Sequence, residues 1–145
     1  MLRVITLLAL AVVLIAPTVA QESPAAGESP KAVGESSVIE SGRRLTEQFY
    51  QGKLEDIHLA FSTEMKTEFP LERLAAVRDQ VFDHLGPEIE VHDEQVREKN
   101  DYTVYRGLVS FEKRRSGKFE VLWTFRSDDL VAGFFIRDAS AGQSE

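Results

Sequence analysis

The hydrophobic period of this chain changes once, at Gly86-Pro87, and that change limits the fold more than any other feature. Before it, apolar residues recur at helical spacing. After it, they alternate with polar ones, as in strands with one buried face. Helices grouped ahead of strands cannot supply the crossovers of a parallel sheet. The order predicts an antiparallel meander with its helices on one face, an α+β domain.

The helical half divides into three. Val38, Leu45 and Phe49 form a stripe at i, i+7, i+11, with Ser36 or Ser37 as N-cap, Glu40 behind it and Gly52 as the stop. Leu54, Ile57 and Phe61 mark a second, shorter helix. Pro70 opens a third, whose face is Leu74, Val77, Val81 and Leu85. Four strands follow: one around Ile89 and Val91, then 102–111, 119–125 and 130–136. Alternation is clearest in Phe119, Val121, Trp123 and Phe125.

Matching apolar faces predicts the strand registers. An odd loop between the second and third strands sets Val121 against Phe111 and Trp123 against Val109, with Gly117 left-handed in a bulged turn. An even turn at Asp128-Asp129 sets Trp123 against Phe134 and Val121 against Ile136. In the first strand, Ile89 and Val91 point inward only if Asp93 and Gln95 do too.

The N-terminus reads as a targeting segment. Arg3 precedes thirteen uncharged residues, 4–16, and Pro17 and Thr18-Val19-Ala20 follow. Spanning a membrane takes about 20 apolar residues, so this pattern predicts a signal peptide over 1–20, cleaved after Ala20. The product is expected to be secreted or periplasmic and free of the membrane after cleavage. Residues 21–36, rich in Pro, Gly, Ala, Ser and Glu, read as a flexible linker, 37–138 as the α+β domain and 139–145 as a disordered tail. A net charge of −7 gives no electrostatic footprint for nucleic acid. With no cysteine in the chain, disulfides, thiolate chemistry and a lipid-modified cysteine are excluded.

This arrangement resembles the cone-shaped nuclear transport factor 2-like superfamily, also called SnoaL-like. Within it the chain is most similar to a bacterial family known as domain of unknown function 3887. The resemblance covers roughly 38–136. It rests on the first helix ending at Gly52, on Leu54-Glu55-Asp56-Ile57 and Phe61-Ser62, on the helix opened by Pro70, and on Val131-Ala132-Gly133-Phe134. Asp128-Asp129 stands where an Asp-Gly turn is the pattern. The resemblance implies three N-terminal helices packed on a curved four-stranded antiparallel sheet, the sheet wrapping the third helix and leaving a pocket at its wide end. Relatives include isomerases, dehydratases and cyclases with an Asp or His in that pocket, and many binding or accessory domains.

Few residues suggest chemistry, and each has a structural alternative. Asp93 and Tyr105 share the cone interior if the first-strand parity holds, where desolvation would suit Asp93 to act as a base; otherwise both sit at a solvated rim. His58 and Asp56 lie near a helix start, His84 at a helix end and His92 on a charged strand face, so the three histidines make no metal pattern. No nucleophile elbow, P-loop or dinucleotide fingerprint occurs, and no cofactor is expected. Lys113-Arg114-Arg115 with Lys118 makes a basic hairpin tip that either grips an anion or is simply solvated.

The foremost expectation is a non-enzymatic binding or accessory module. Its cone would take a small apolar ligand or peptide, lined by Tyr105, Trp123, Phe125 and Phe134. The alternative is a cofactor-free isomerase or lyase with Asp93 as base. A third reading is an envelope scaffold that forms a homodimer, or binds a partner, through an outer apolar patch of Leu108, Leu122 and Phe135.

Overall fold

The computed structural model describes residues 30–142. The signal peptide, its cleavage point after Ala20 and linker residues 21–29 lie outside the described residues, as do tail residues 143–145. Four helices precede the sheet: α1 (Pro30–Gln51), α2 (Leu54–Leu59), α3 (Thr63–Glu68) and α4 (Leu71–His84). The strands are β1 (Glu88–Lys99), β2 (Tyr102–Phe111), β3 (Arg114–Arg126) and β4 (Val131–Asp138), in one antiparallel sheet of order β1-β2-β3-β4. The α+β class and the meander match the change of period. Among the described residues, no helix is long and apolar enough to cross a membrane.

The helices depart from expectation at two places. First, α1 starts at Pro30, so residues 30–36, read as linker, continue the helix, and Ser36 and Ser37 are interior to it. Proline suits a first helical position because its missing N–H has no intrahelical acceptor there. At the far end Gly52 adopts φ +77°. Its N–H reaches Phe49 O and the Lys53 N–H reaches Gln48 O, the paired bonds of a Schellman stop. Second, Phe61 and Ser62 do not extend α2. Phe61 pairs with Val131 in a short parallel bridge, and the Ser62 side chain caps α3 by accepting the Met65 N–H at 3.2 Å. Ser62-Thr63-Glu64 is a start signal for this extra helix, cap first and acid in the first turn. The tail begins in order: Ala139–Gly142 forms a 3-10 turn held by Asp138.

The β3–β4 register is as predicted, Trp123 opposite Phe134 and Val121 opposite Ile136. The β2–β3 register is not. Trp123 faces Tyr105 and Val121 faces Gly107; the turn falls at Glu112-Lys113, a bulge follows Val109, and Gly117 lies inside β3 rather than in the turn. The bulge preserves the inward parity, so the apolar face survives the corrected register.

That face meets the helices in a single core. Trp123, 0% exposed, stacks on Phe134 at 4.1 Å and 21°. Phe49 of α1 also packs on Phe134, at 5.0 Å. The Trp123 indole N–H donates to Thr46 Oγ1 at 2.9 Å, which locks α1 across the sheet. From α4, Arg78 donates to the carbonyls of Phe49 and Tyr50 in the last turn of α1, so that Phe49 O accepts from both Gly52 and Arg78.

Candidate functional site

The first strand decides the site. Two bulges interrupt β1, between Glu88 and Glu90 and between Val91 and Asp93. Each inserts one residue, so the inward positions follow a spacing of three: Glu88 opposite Phe111, Val91 opposite Val109, Glu94 opposite Gly107. Plain alternation predicted Ile89, Val91, Asp93 and Gln95. The physical reason for the difference is visible in that list, because an unbroken register would turn Asp93 and Gln95 into the core.

Asp93 therefore does not join Tyr105. It lies opposite Leu108 on the outer face, where its carboxylate accepts from Gln95 at 2.9 Å and stands 3.8 Å from Arg106. The carboxylate that meets Tyr105 is Glu94, whose Oε1 accepts the phenol O–H at 2.8 Å. Arg43 of α1 donates to both Glu94 oxygens, its Nε at 2.8 and 3.0 Å and its Nη2 to Oε2 as well. The Tyr105 ring fits between two glycines. A Cβ on Gly42 would lie 2.3 Å from its Cγ, and one on Gly107 would lie 2.9 Å from its hydroxyl.

Between α1 and the inner face of β1–β3 is a cavity of about 410 Å³. Arg43, Thr46, Glu47, Tyr50 and Gln51 line it from α1, spaced to share one helical face. Glu88, Val91 and Glu94 line it from β1, with Tyr105, Val109 and Val121 beyond. Of the expected lining, only Tyr105 is in its wall. Trp123 and Phe134 fill the core by stacking on each other, and Phe125, also buried, faces a smaller hollow beside Val38 and Val131.

The two acids that β1 brings to the cavity, Glu88 and Glu94, are tuned in opposite directions. Arg43, above all, holds Glu94 below the usual carboxylate range, with Tyr105 assisting against partial burial. Burial pushes Glu88 up, the nearby Glu94 charge adds to this, and the Tyr50 hydroxyl partly offsets it. Glu88 Oε2 and Tyr50 Oη are both sealed from solvent without a hydrogen bond of ordinary geometry. Burial likewise raises both tyrosines: Tyr50, further pushed by Glu88, and Tyr105, further pushed by Glu94.

These shifts make the stability of the fold depend on pH. Above the ordinary carboxyl range, the unfolded chain has lost a proton that folded Glu88 still holds. Its contribution to stability therefore falls as pH rises to the elevated folded value and stays lost above it. Glu94 acts oppositely: its contribution is present above the ordinary range and is lost as pH falls through its depressed value. Glu88→Gln is expected to raise stability at neutral pH, with the gain shrinking toward pH 4. Urea melts across that range would show it, and an equal effect at every pH would mean that Glu88 is fully solvated.

The remaining expectations fall elsewhere. His58 packs on Phe61 at 5.5 Å with its Nε2 buried and unpartnered, while Asp56 is exposed. His84 meets the Gln80 carbonyl within α4, and His92, the extra residue of the second bulge, meets Ser110 Oγ at 2.7 Å. Lys113 of the basic tip donates to the Phe82 and Asp83 carbonyls and so caps α4. On the outer face Phe135 is 64% exposed, but Leu108 and Leu122 are half-buried. Ion pairs from Glu120 to Arg106 at 2.5 Å and Arg137 at 2.7 Å interleave with them, so the apolar patch is smaller than expected. Among the described residues, no group of three or more His, Asp or Glu side chains is arranged to hold a metal ion.

Comparison with protein-family models, with curated proteins and with solved structures finds no match to this chain.

Proposed function

We propose that this chain is an exported, non-enzymatic binding domain whose small apolar ligand or peptide occupies the cavity between α1 and the sheet. The observation that carries this reading is the cavity itself. About 410 Å³ of space is lined by Tyr50, Tyr105 and three valines together with a few fixed polar groups. Ligand sites have that size and that division of labour. Export rests on the signal pattern at the N-terminus. A cone-shaped nuclear transport factor 2-like architecture is supported by the helices preceding a four-stranded antiparallel meander whose inner face packs on them.

Native mass spectrometry of the protein purified from its own host is the test. A retained small molecule is expected, and Val91→Trp, which fills the cavity from a half-exposed wall position, is expected to lose it while keeping the fold. A wild-type protein that carries nothing, and whose melting no compound library shifts, would sink the reading. The same spectrum reports whether the protein is a homodimer, and Phe135→Glu would then test the outer face as its interface.

A second reading, a cofactor-free isomerase or lyase, is favoured by one observation. Glu88 and Glu94 share a cavity and are pushed in opposite directions, the pattern of an acid–base pair. Glu88 then takes the place expected for Asp93. Deuterium exchange into a panel of enolisable ketones, followed by NMR, would have to exceed the solvent rate and drop in Glu88→Gln.

A further inference from the structure

The charges of the cavity wall are not balanced. One guanidinium, Arg43, stands among three carboxylates, Glu47, Glu88 and Glu94. Arg43 is committed to Glu94 by both carboxylate oxygens. Glu47 Oε1 accepts from Gln51 Nε2 at 2.8 Å. Among the described residues, no basic side chain pairs with Glu88. Its surroundings are the Tyr50 hydroxyl, which makes no hydrogen bond of ordinary geometry, and the Glu94 carboxylate, whose charge Arg43 already pairs. An anion entering the cavity would find no free cation and two further acids. A neutral body would leave Glu88 without a counter-charge. A positive group supplies what the wall lacks, and charge-assisted hydrogen bonds to a carboxylate are the strong ones. Aromatic rings beside the acid also favour a cation.

We infer that the cavity selects a small organic cation, its ammonium group against the Glu88 carboxylate and its apolar body against Tyr105, Val91, Val109 and Val121. This rests on the reading of the cavity as a binding site and adds the ligand's chemical class to it. Glu94, already neutralised by Arg43 and held to Tyr105, positions the wall and does not hold the ligand's charge.

The test compares three probes of one shape and different charge: 2-phenylethylamine, 2-phenylethanol and phenylacetate, titrated into the protein by calorimetry or NMR. The amine is expected to bind at least about tenfold tighter than the alcohol, about 1.4 kcal/mol, with phenylacetate weakest. Glu88→Gln is expected to bring the amine to within about twofold of the alcohol and to leave the alcohol unchanged. The alcohol or phenylacetate binding as tightly as the amine would overturn the cation while leaving a binding cavity. An amine preference that survives Glu88→Gln would overturn the role of Glu88. No binding by any probe in the millimolar range would overturn the binding site itself.

Discussion

Trp123→Ala is expected to cost about 3–5 kcal/mol, the usual range for truncating a large buried aromatic. Trp123 is inaccessible to solvent, stacked on Phe134 at 4.1 Å and bonded through its indole N–H to Thr46. Phe134 is in turn gripped by Phe49, so the neighbours cannot close the space without moving α1. A domain of this size is stable by about 5–15 kcal/mol in all. At several degrees per kcal/mol, its melting temperature should drop by more than about 10 °C. Two companions separate the causes. Thr46→Val leaves the indole N–H buried without an acceptor and should cost about 1–3 kcal/mol. Leu122→Ala, on the adjacent outward position, should cost about 1 kcal/mol or less. Circular dichroism melts of the three would read the strand's facing directly. Equal, small losses at 122 and 123 would mean that the strand presents its other side to the helices.

Gly42→Ala is expected to destabilise the domain by about 1–3 kcal/mol, against the trend for a helix interior. Alanine normally gains up to about 1 kcal/mol over glycine in a helix. Here its methyl would lie 2.3–2.7 Å from three atoms of the Tyr105 ring. The ring has little room to retreat. Its hydroxyl lies over Gly107 and is bonded to Glu94, which Arg43 holds from α1. Overpacking therefore outweighs propensity. The decisive measurement is a double-mutant cycle with Tyr105→Ala. In that background the methyl has space, and Gly42→Ala should become neutral or stabilising. A stabilising Gly42→Ala in the wild-type chain would show that the ring is not seated between the glycines. Since Tyr105 walls the cavity, the clash should also weaken ligand binding.

The candidate site was less legible than the fold, and β1 shows why. Its sequence from Glu88 to Lys99 has few apolar residues to report a face. Alternation there assigned Asp93 to the interior, and the two bulges gave that place to Glu88 and Glu94. The only sequence clue was negative: unbroken pairing would have buried Asp93 and Gln95. In β3, by contrast, four large apolar residues at every second position left one facing available, and Trp123, Val121 and their β4 partners were found where expected. The missed α3 had a local signal in Ser62-Thr63-Glu64. The Lys113 cap on α4 had none, because its acceptors are about thirty residues away.

What the sequence determined by itself was set by local periodicity and stop signals: the helices before the sheet, the glycine ends at 52 and 86, the meander, and the burial of its aromatic face. Each follows from residues within a turn or a strand of one another. The cavity, its carboxylates and the Tyr105 slot were decided only by the tertiary structure. They depend on where β1 bulges against β2 and how closely α1 approaches β2, and both come from packing between separate elements of the chain. Local pattern reports which face is apolar. It does not report which charged side chain a bulge turns inward, since the cost of doing so is offset by a partner on another element.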